Sequence, residues 1–257
     1  MDGVRRISIF IIFLAVLAIF TGAVAAADWN VSVGSSIQSV VNNASENDTI
    51  IVNDNNGTAY TYTENLVVNK KINLHSASDL VTIQALNSSK PVITINSLGS
   101  GSTIQNFIIA GATSSAGIYL NSANNCIITG NDFTGNYDGI RLYKSANNFI
   151  SDNIVSNNTH IGIYVYTNSS NNYVQSNFLT STPYGIYVIN SINNQIMGNT
   201  VNNSTSYAVY LSNVNNTHIG QNNFNNNNYG IYLYNAQDNN LTGNTVINTS
   251  KILVTIF

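Results

Sequence analysis

This chain of 257 residues contains few charged side chains, two prolines and a single cysteine. Charged residues make up 7% of the sequence, against about a quarter in an average soluble domain. One cysteine excludes an intrachain disulfide, so packing and hydrogen bonds must stabilise the fold. The net charge of −3 supplies no basic surplus, and we expect neither nucleic acid nor, for the mature chain, a membrane as partner.

A short motif recurs at a spacing of 22 or 23 residues through the second half of the chain. It consists of Gly or Ala, then Ile or Val, one variable residue, and Leu or Val. Such a period is typical of a solenoid, in which each repeat buries its apolar face by stacking on its neighbours. The motif begins at Gly117, Gly139, Gly162, Gly185, Ala208 and Gly230.

The apolar residues of each repeat alternate with polar ones and never show helical spacing. Two short alternations per repeat predict β-strands, and the Asn, Gly and Ser clusters between them predict turns. Two or three strands in this length suit one rung of a parallel β-helix, an all-β fold whose rungs stack about 4.8 Å apart. The recurrent asparagines are predicted to be structural, because stacked amides can form hydrogen-bonded columns and Asn tolerates left-handed turns.

The repeats resemble the right-handed parallel β-helix proteins of the pectin-lyase-like superfamily, and most closely the NosD-like repeat proteins and adhesin-like proteins of microbial surfaces. The resemblance is carried by segments such as 185–188 (GIYV), 193–196 (NNQI) and 198–201 (GNTV), and by residues 36–44, which resemble a short capping helix. It covers residues 31–257 and implies a single-stranded right-handed β-helix with 22 or 23 residues per rung. It is specific for fold and weak for activity.

Residues 1–27 combine Arg5-Arg6, an apolar stretch and a run of small residues, and are predicted to be a signal peptide cleaved near Ala25 or Ala27. The alternative is an uncleaved membrane anchor, although the apolar stretch is short for a membrane span. The mature protein is therefore expected to be secreted or held at the cell surface. Its many Asn-x-Ser/Thr sequons predict a glycoprotein if the host glycosylates such sites.

The β-helix domain is predicted to cover residues 28–257, with a cap and irregular first rungs at 31–111 and regular repeats at 112–257. Residues 251–257 begin where another strand is due, and no cap follows, so the last rung is expected to be uncapped or truncated. An open strand edge can pair with another chain. We therefore expect self-association or a protein partner at the C-terminal edge.

Tyrosine is the distinctive residue of the outward strand positions, because Ile and Leu of the motif alternate inward. Stacked rings stabilise a sheet without any ligand, and Arg141 is placed to contact a ring. A long aromatic surface with hydroxyl edges also suits sugar rings. The predicted ligand-binding set is Tyr119, Arg141, Tyr143, Tyr164, Tyr166, Tyr187, Tyr210, Tyr232 and Tyr234.

Catalysis is the alternative that the resemblance raises, because many pectin-lyase-like proteins are polysaccharide lyases or hydrolases. The candidate catalytic cluster is Asp138, Arg141 and Lys144, although a surface ion pair also explains it. Asp132 and Asp152 flank the asparagine position of consecutive rungs on opposite sides, so their side chains are expected to point in different directions.

No metal site or cofactor is predicted, even though NosD-like proteins carry copper-associated names. A copper site needs converging His, Met or Cys side chains. The candidate ligands of this chain occupy different rung positions: His75, His160, His218, Met197 and Cys126. Cys126 is predicted to be a small residue at the position of Phe149, Tyr173 and Gln195 in later rungs, with an intermolecular link as the alternative.

The sequence therefore predicts a noncatalytic, adhesin-like protein that binds a glycan, an envelope polymer or a partner protein through its tyrosines. The alternative function is a carbohydrate-active enzyme, whether polysaccharide lyase, hydrolase or epimerase.

Overall fold

A computed structural model of the chain describes residues 25–256. Nearly all of the predicted signal peptide lies outside the described residues. Between residues 25 and 256, no helix is long and apolar enough to cross a membrane.

The regular secondary structure of the described residues consists of short strands, one α-helix, α1 (Ile37–Asn43), and one 3-10 turn (Ser97–Gly99). The strands before the regular repeats are β1 (Asp28–Val31), β2 (Thr49–Val52), β3 (Tyr60–Thr63), β4 (Leu66–Val68), β5 (Asn73–Ser76), β6 (Val81–Gln84), β7 (Ile93–Asn96), β8 (Thr103–Gln105) and β9 (Ile108–Ala110). Those of the regular repeats are β10 (Ala116–Asn121), β11 (Ile127–Thr129), β12 (Asp132–Thr134), β13 (Asp138–Tyr143), β14 (Phe149–Ser151), β15 (Ile154–Ser156), β16 (Ile161–Tyr166), β17 (Tyr173–Gln175), β18 (Phe178–Thr180), β19 (Tyr184–Ile189), β20 (Gln195–Met197), β21 (Thr200–Asn202), β22 (Tyr207–Ser212), β23 (His218–Gly220), β24 (Asn223–Asn225), β25 (Tyr229–Tyr234), β26 (Asn240–Thr242), β27 (Thr245–Ile247) and β28 (Lys251–Ile256).

The strands form three parallel sheets that run the length of the solenoid, and each strand pairs with its equivalents in the rungs on either side. The tyrosine sheet contains β4, β7, β10, β13, β16, β19, β22, β25 and β28. The second sheet runs from β1 and β2 through β5 to β26, and the third runs from β3 through β6 to β27. The chain is therefore an all-β parallel β-helix of about ten turns, as predicted.

Each regular rung holds three strands, because the segment that follows the paired asparagines bends in its middle. The bend separates a three-residue strand of the second sheet from one of the third. It requires left-handed backbone, which glycine adopts without cost and small polar residues adopt at modest cost. The residues at this bend have φ between 55° and 65°: Gly130, Asp152, Ser176, Gly198, Gln221 and Gly243.

An asparagine follows each of these bends, and from Asn131 to Asn222 it is buried and joins its rung to the next. The Asn153 side chain donates from Nδ2 to the Ile128 carbonyl at 2.9 Å and to Asn177 Oδ1 at 2.9 Å. The Asn153 backbone N–H also donates to Asn177 Oδ1, at 3.0 Å. These contacts confirm the predicted structural role. The ladder consists of Asn131, Asn153, Asn177, Asn199, Asn222 and Asn244.

A second ladder of the same kind lies between the tyrosine sheet and the second sheet, at Asn148, Asn172 and Asn194. Cys126 begins this ladder, because its backbone N–H donates to Asn148 Oδ1 at 2.8 Å. The predicted alignment of Cys126 with Phe149 was therefore wrong by one residue. Ile127 is the residue that pairs with Phe149, and Cys126 is fully buried.

The core is a continuous column of Ile, Leu, Val and Phe side chains from all three sheets. Helix α1 closes the N-terminal end, as predicted, and buries Ile37 and Val41. Ser36 caps the helix, and the Glu64 carboxylate accepts from the Ile37 and Gln38 backbone N–H groups at 2.8 and 3.0 Å. At the other end, β28 adds a further parallel strand to β25, so residues 251–256 form the expected strand. Pairing of this edge with another chain stays a prediction.

Candidate functional site

The tyrosine sheet has the longest strands of the regular repeats. The glycine of the repeat motif allows neighbouring strands of this sheet to approach closely. In β13, β16 and β19 the strand pairing skips the glycine, and a Cβ built on Gly162 would lie 2.6 Å from the Gly185 carbonyl oxygen. After the glycine, Ile and Leu or Val point into the core and the residue between them is partly exposed. The predicted inward and outward positions of the motif are confirmed.

Register places the outward residues in columns along the helix axis. The first column contains Tyr119, Arg141, Tyr164, Tyr187, Tyr210 and Tyr232. The second column holds Tyr143 and Tyr166, is interrupted by Ile189 and Ser212, and ends at Tyr234. All nine residues of the predicted set therefore lie on this sheet.

A third column, which the period-two alternation did not place on this face, contains Tyr184, Tyr207 and Tyr229. The Tyr184 ring lies 5.5 Å from Tyr187 in the first column, and Tyr207 lies 5.0 Å from Tyr210. The skipped glycine breaks the alternation, which explains why a residue just before it packs with residues three positions on. We call the outward surface formed by the three columns the tyrosine face.

The rings of the tyrosine face contact one another both along and across the rungs. Tyr164 stacks on Tyr187 at 5.3 Å and on Tyr166 at 4.3 Å between ring centroids, and Tyr210 stacks on Tyr232 at 5.0 Å. Mutual burial of the rings raises the pKa of the Tyr187 hydroxyl to about 12, and burial likewise raises the pKa of Tyr164. These two phenols therefore keep their protons at neutral pH and offer hydroxyl donors and acceptors along an apolar surface.

A cluster of charged side chains lies at one end of the tyrosine face, around Asp138. This carboxylate is only 1% exposed and accepts from Arg141 Nε at 2.9 Å and Nη2 at 2.5 Å through Oδ2. Its Oδ1 lies 2.9 Å from Nδ1 of His160 and accepts from the Ile161 backbone N–H at 3.2 Å. Asp138 is thus a buried anchor that orients an arginine and a histidine.

The predicted cluster of Asp138, Arg141 and Lys144 is only partly brought together. Lys144 forms no ion pair with Asp138 among the described residues, and its Nζ lies 5.2 Å from the Tyr143 ring centroid. The left-handed backbone of Lys144, at φ 49°, begins the turn that leaves β13. The ion pair expected for Asp138 is present with Arg141, although its carboxylate is buried and only the arginine is partly exposed.

His160 is the residue of this cluster that the sequence did not indicate. It comes from the rung after Asp138, and its imidazole stacks on Tyr137 at 4.6 Å between ring centroids. The side chain is 36% exposed, and no bond to Nε2 occurs within residues 25–256. Its position two residues before Gly162 matches that of Tyr137 before Gly139, which is the only signal the repeat offers.

Two other aspartates lie near the bend between the second and third sheets. Asp132 and Asp152 line one shallow cleft together with Asp79, and the different directions expected of the first two side chains stay a prediction. Burial raises the pKa of Asp132. Even so, residues 25–256 contain no group of three or more His, Cys, Asp or Glu side chains placed to hold a metal ion.

Three parallel sheets, stacked asparagines and a buried aliphatic column define a β-helix repeat protein. Residues 93–246 match the family model described as "Right handed beta helix region", and the chain belongs to this family. This assignment confirms the predicted handedness. A search of curated proteins found no match.

Solved structures with the same fold include enzymes and an adhesin. The chain is 15% identical to an alginate lyase from Paenibacillus sp. str. FPU-7, with a TM-score of 0.56 over 89% of this chain and 99% of the lyase. It is 15% identical to PfbA, a surface adhesin of Streptococcus pneumoniae, with a TM-score of 0.58 over 81% of this chain and 62% of PfbA. It is 13% identical to the enzymatically active domain of bacteriophage CBA120 tailspike protein 2, with a TM-score of 0.61 over 90% of this chain.

The chain spans less than two thirds of several of these proteins: 43% of the tailspike domain and 56% of ORF18 of Geobacillus virus E2. At such identities the likeness concerns the fold alone. It supports the predicted pectin-lyase-like fold, and the NosD-like subgroup stays a prediction.

Proposed function

We propose that this chain is a secreted or cell-surface β-helix protein that binds a glycan through the tyrosine face. The observation that carries the proposal is the extent of that face, where eleven tyrosines and Arg141 form three columns on one sheet. Sugar rings present apolar faces and hydroxyl rims, so they match an aromatic surface edged by phenol hydroxyls. The adhesin and polysaccharide-active proteins of the same fold make a glycan partner plausible.

Glycan arrays probed with the purified protein test this function, followed by affinity measurements on each hit. Replacing both Tyr164 and Tyr187 by alanine should weaken binding by about tenfold or more, as expected for aromatic anchors at the centre of a site. Tyr173→Ala is the matched control, because Tyr173 is a 46% exposed tyrosine on the second sheet. The proposal fails if the control variant loses as much affinity as the double variant.

Loss of stacking could also destabilise the sheet, so a second variant separates binding from folding. Tyr187→Phe keeps the ring that contacts Tyr164 and Tyr210 and removes only the hydroxyl. It should retain the thermal unfolding midpoint of the parent while losing the hydrogen bonds to the sugar. The far-UV circular dichroism spectrum of every variant should match that of the parent.

A second candidate function, a carbohydrate-active enzyme, is favoured by the contact between Asp138 and His160. A buried carboxylate 2.9 Å from Nδ1 fixes the imidazole with Nε2 directed away, which is the arrangement of an oriented general base. Turnover of polysaccharides, assayed with and without Ca²⁺, tests this function. Activity abolished by His160→Gln would support the enzymatic function. The candidate catalytic cluster would then consist of Asp138, Arg141 and His160, without Lys144.

A further inference from the structure

Basic and acidic side chains are distributed unevenly among the three sheets of the repeats. Residues 112–257 contain three basic side chains, and all three lie on or directly beside strands of the tyrosine sheet: Arg141 in β13, Lys144 after it, and Lys251 in β28. The same repeats contain four aspartates and no glutamate. Only Asp138 belongs to a strand of the tyrosine sheet, whereas Asp132 begins a strand of the third sheet.

Each of the three cations lies against a tyrosine ring. The Arg141 guanidinium carbon is 5.9 Å from the Tyr119 ring centroid, and Lys144 Nζ is 5.2 Å from that of Tyr143. At the far end, Lys251 Nζ lies 5.0 Å from the Tyr229 centroid and donates to its hydroxyl at 3.2 Å. Such contacts leave the ammonium groups in solvent while fixing them beside an aromatic surface.

The one carboxylate on these strands is buried and already bonded. Both oxygens of Asp138 are occupied by Arg141, His160 and the Ile161 backbone, and the side chain is 1% exposed. Arg141 Nη1 makes no hydrogen bond within the described part of the chain, and the arginine side chain is 23% exposed. The accessible charge of the tyrosine face is therefore positive, on a chain whose net charge is −3.

We propose that the tyrosine face takes an acidic polysaccharide, with Arg141 as an anion subsite for a sugar carboxylate or sulfate and Lys144 adding positive charge at the end of the same strand. This inference rests on the proposed glycan-binding function and names the class of glycan. The rings bind the apolar faces of successive sugars, and the basic groups bind the acidic substituents. Asp138 is a positioning residue, since it holds Nε and Nη2 of Arg141 and leaves Nη1 for the ligand. Lys251 extends the positive charge to the other end of the face.

The test uses two pairs of polymers that share a backbone and differ in charge. Dextran sulfate is compared with dextran, and polygalacturonate is compared with its carboxyl-reduced form, so the two pairs distinguish sulfate from carboxylate. The purified protein should bind at least one charged member about tenfold more tightly than its neutral counterpart at 50 mM NaCl. That advantage should shrink severalfold at 500 mM NaCl, because exposed charges are screened by salt.

Variants then assign the charge effect to the subsite. Arg141→Gln combined with Lys144→Gln should weaken binding of the charged polymer by about fivefold or more and reduce its advantage over the neutral polymer. Lys90→Gln is the matched control, because Lys90 is an exposed lysine outside the repeats. An equal loss in the control would overturn the subsite.

The outcomes distinguish failure of the acidic specificity from failure of the proposed glycan binding. If the neutral polymer binds as tightly as the charged one and Tyr164→Ala with Tyr187→Ala abolishes both, the glycan function stands and the acidic specificity is wrong. If neither member of either pair binds, both proposals fail for these ligands and the anion subsite is rejected. An unchanged affinity in the Arg141 and Lys144 double variant rejects it as well.

Discussion

Replacing Asn177 by alanine tests whether the asparagine ladder holds the rungs together. Its side chain takes part in five hydrogen bonds and belongs to the central part of the ladder. Oδ1 accepts from the backbone and side-chain N–H groups of Asn153, and Nδ2 donates to two carbonyls and to Asn199. Alanine removes all five bonds without altering the backbone conformation that the position requires.

The magnitude follows from the groups that lose their partners. The Asn153 backbone N–H is buried and would have no acceptor, which costs about 1–3 kcal/mol. The Ile150 carbonyl loses a donor at 2.9 Å, and Nδ2 of Asn153 keeps only its bond to the Ile128 carbonyl. With the remaining bonds counted at about 0.5–1.5 kcal/mol each and partly overlapping, the variant should lose roughly 2–5 kcal/mol of unfolding free energy.

Urea unfolding followed by circular dichroism measures this loss, and amide hydrogen exchange locates it. Asn223→Ala is the matched control, because Asn223 is an exposed asparagine on β24. Exchange should accelerate at Asn153 and its neighbours in Asn177→Ala and stay at parent rates in the control. If both variants unfold at the same urea concentration, the ladder does not stabilise the solenoid and the reasoning is refuted.

Three further predictions concern burial and close packing. Burial raises the pKa of the Cys126 thiol to about 11, so its reaction with a thiol reagent at pH 8 should be at least about a hundredfold slower in the folded chain than in urea. Burial raises the pKa of Tyr187 from 10.0 to about 12, so between pH 10 and 12 the unfolded chain binds fewer protons than the folded chain. The free energy of unfolding should therefore fall as the pH rises through that window. In an absorbance titration, tyrosinate should form at higher pH in the folded protein than in free tyrosine. A Cβ on Gly185 would lie 2.4 Å from Val201 Cγ1 and 2.6 Å from the Ala208 carbonyl oxygen, so Gly185→Ala should lower the stability by about 1–3 kcal/mol, and an unchanged thermal midpoint would contradict this packing.

The repeat period predicted the fold because stacking forces equivalent positions of successive rungs into register. Once Gly117 and Gly139 are aligned, the inward position of Ile118 and the outward position of Tyr119 follow from strand alternation. The capping helix was predicted from the resemblance of residues 36–44 to such helices, and Ser36 caps it in the structure. Strand alternation within the repeat therefore predicts, for each strand residue that follows it, whether the side chain points inward or outward.

The bends and charged groups escaped prediction because they depend on contacts between rungs. The left-handed residue at a bend is Gly130 in one rung and Asp152 in the next, so no single residue type marks it. Cys126 was misaligned by one residue because it occupies a position that holds asparagine in the next rungs. It joins that column through its backbone N–H, so its side chain does not mark the position. The partnership of Asp138 with His160 spans 22 residues and required the register of the tyrosine sheet.

Stability alone explains much of the tyrosine face, and the exception to stacking lies where the proposed ligand would bind. Like side chains in register stabilise a sheet, and an uninterrupted tyrosine column would serve that purpose best. Arg141 interrupts the first column between Tyr119 and Tyr164, and a buried carboxylate is needed to hold it there. Burying Asp138 carries a desolvation cost that a sixth stacked ring in this column would avoid. Under the proposed function, this exchange of a stacked ring for an anchored, partly exposed guanidinium provides a contact for the ligand, which the packing of the rungs does not require.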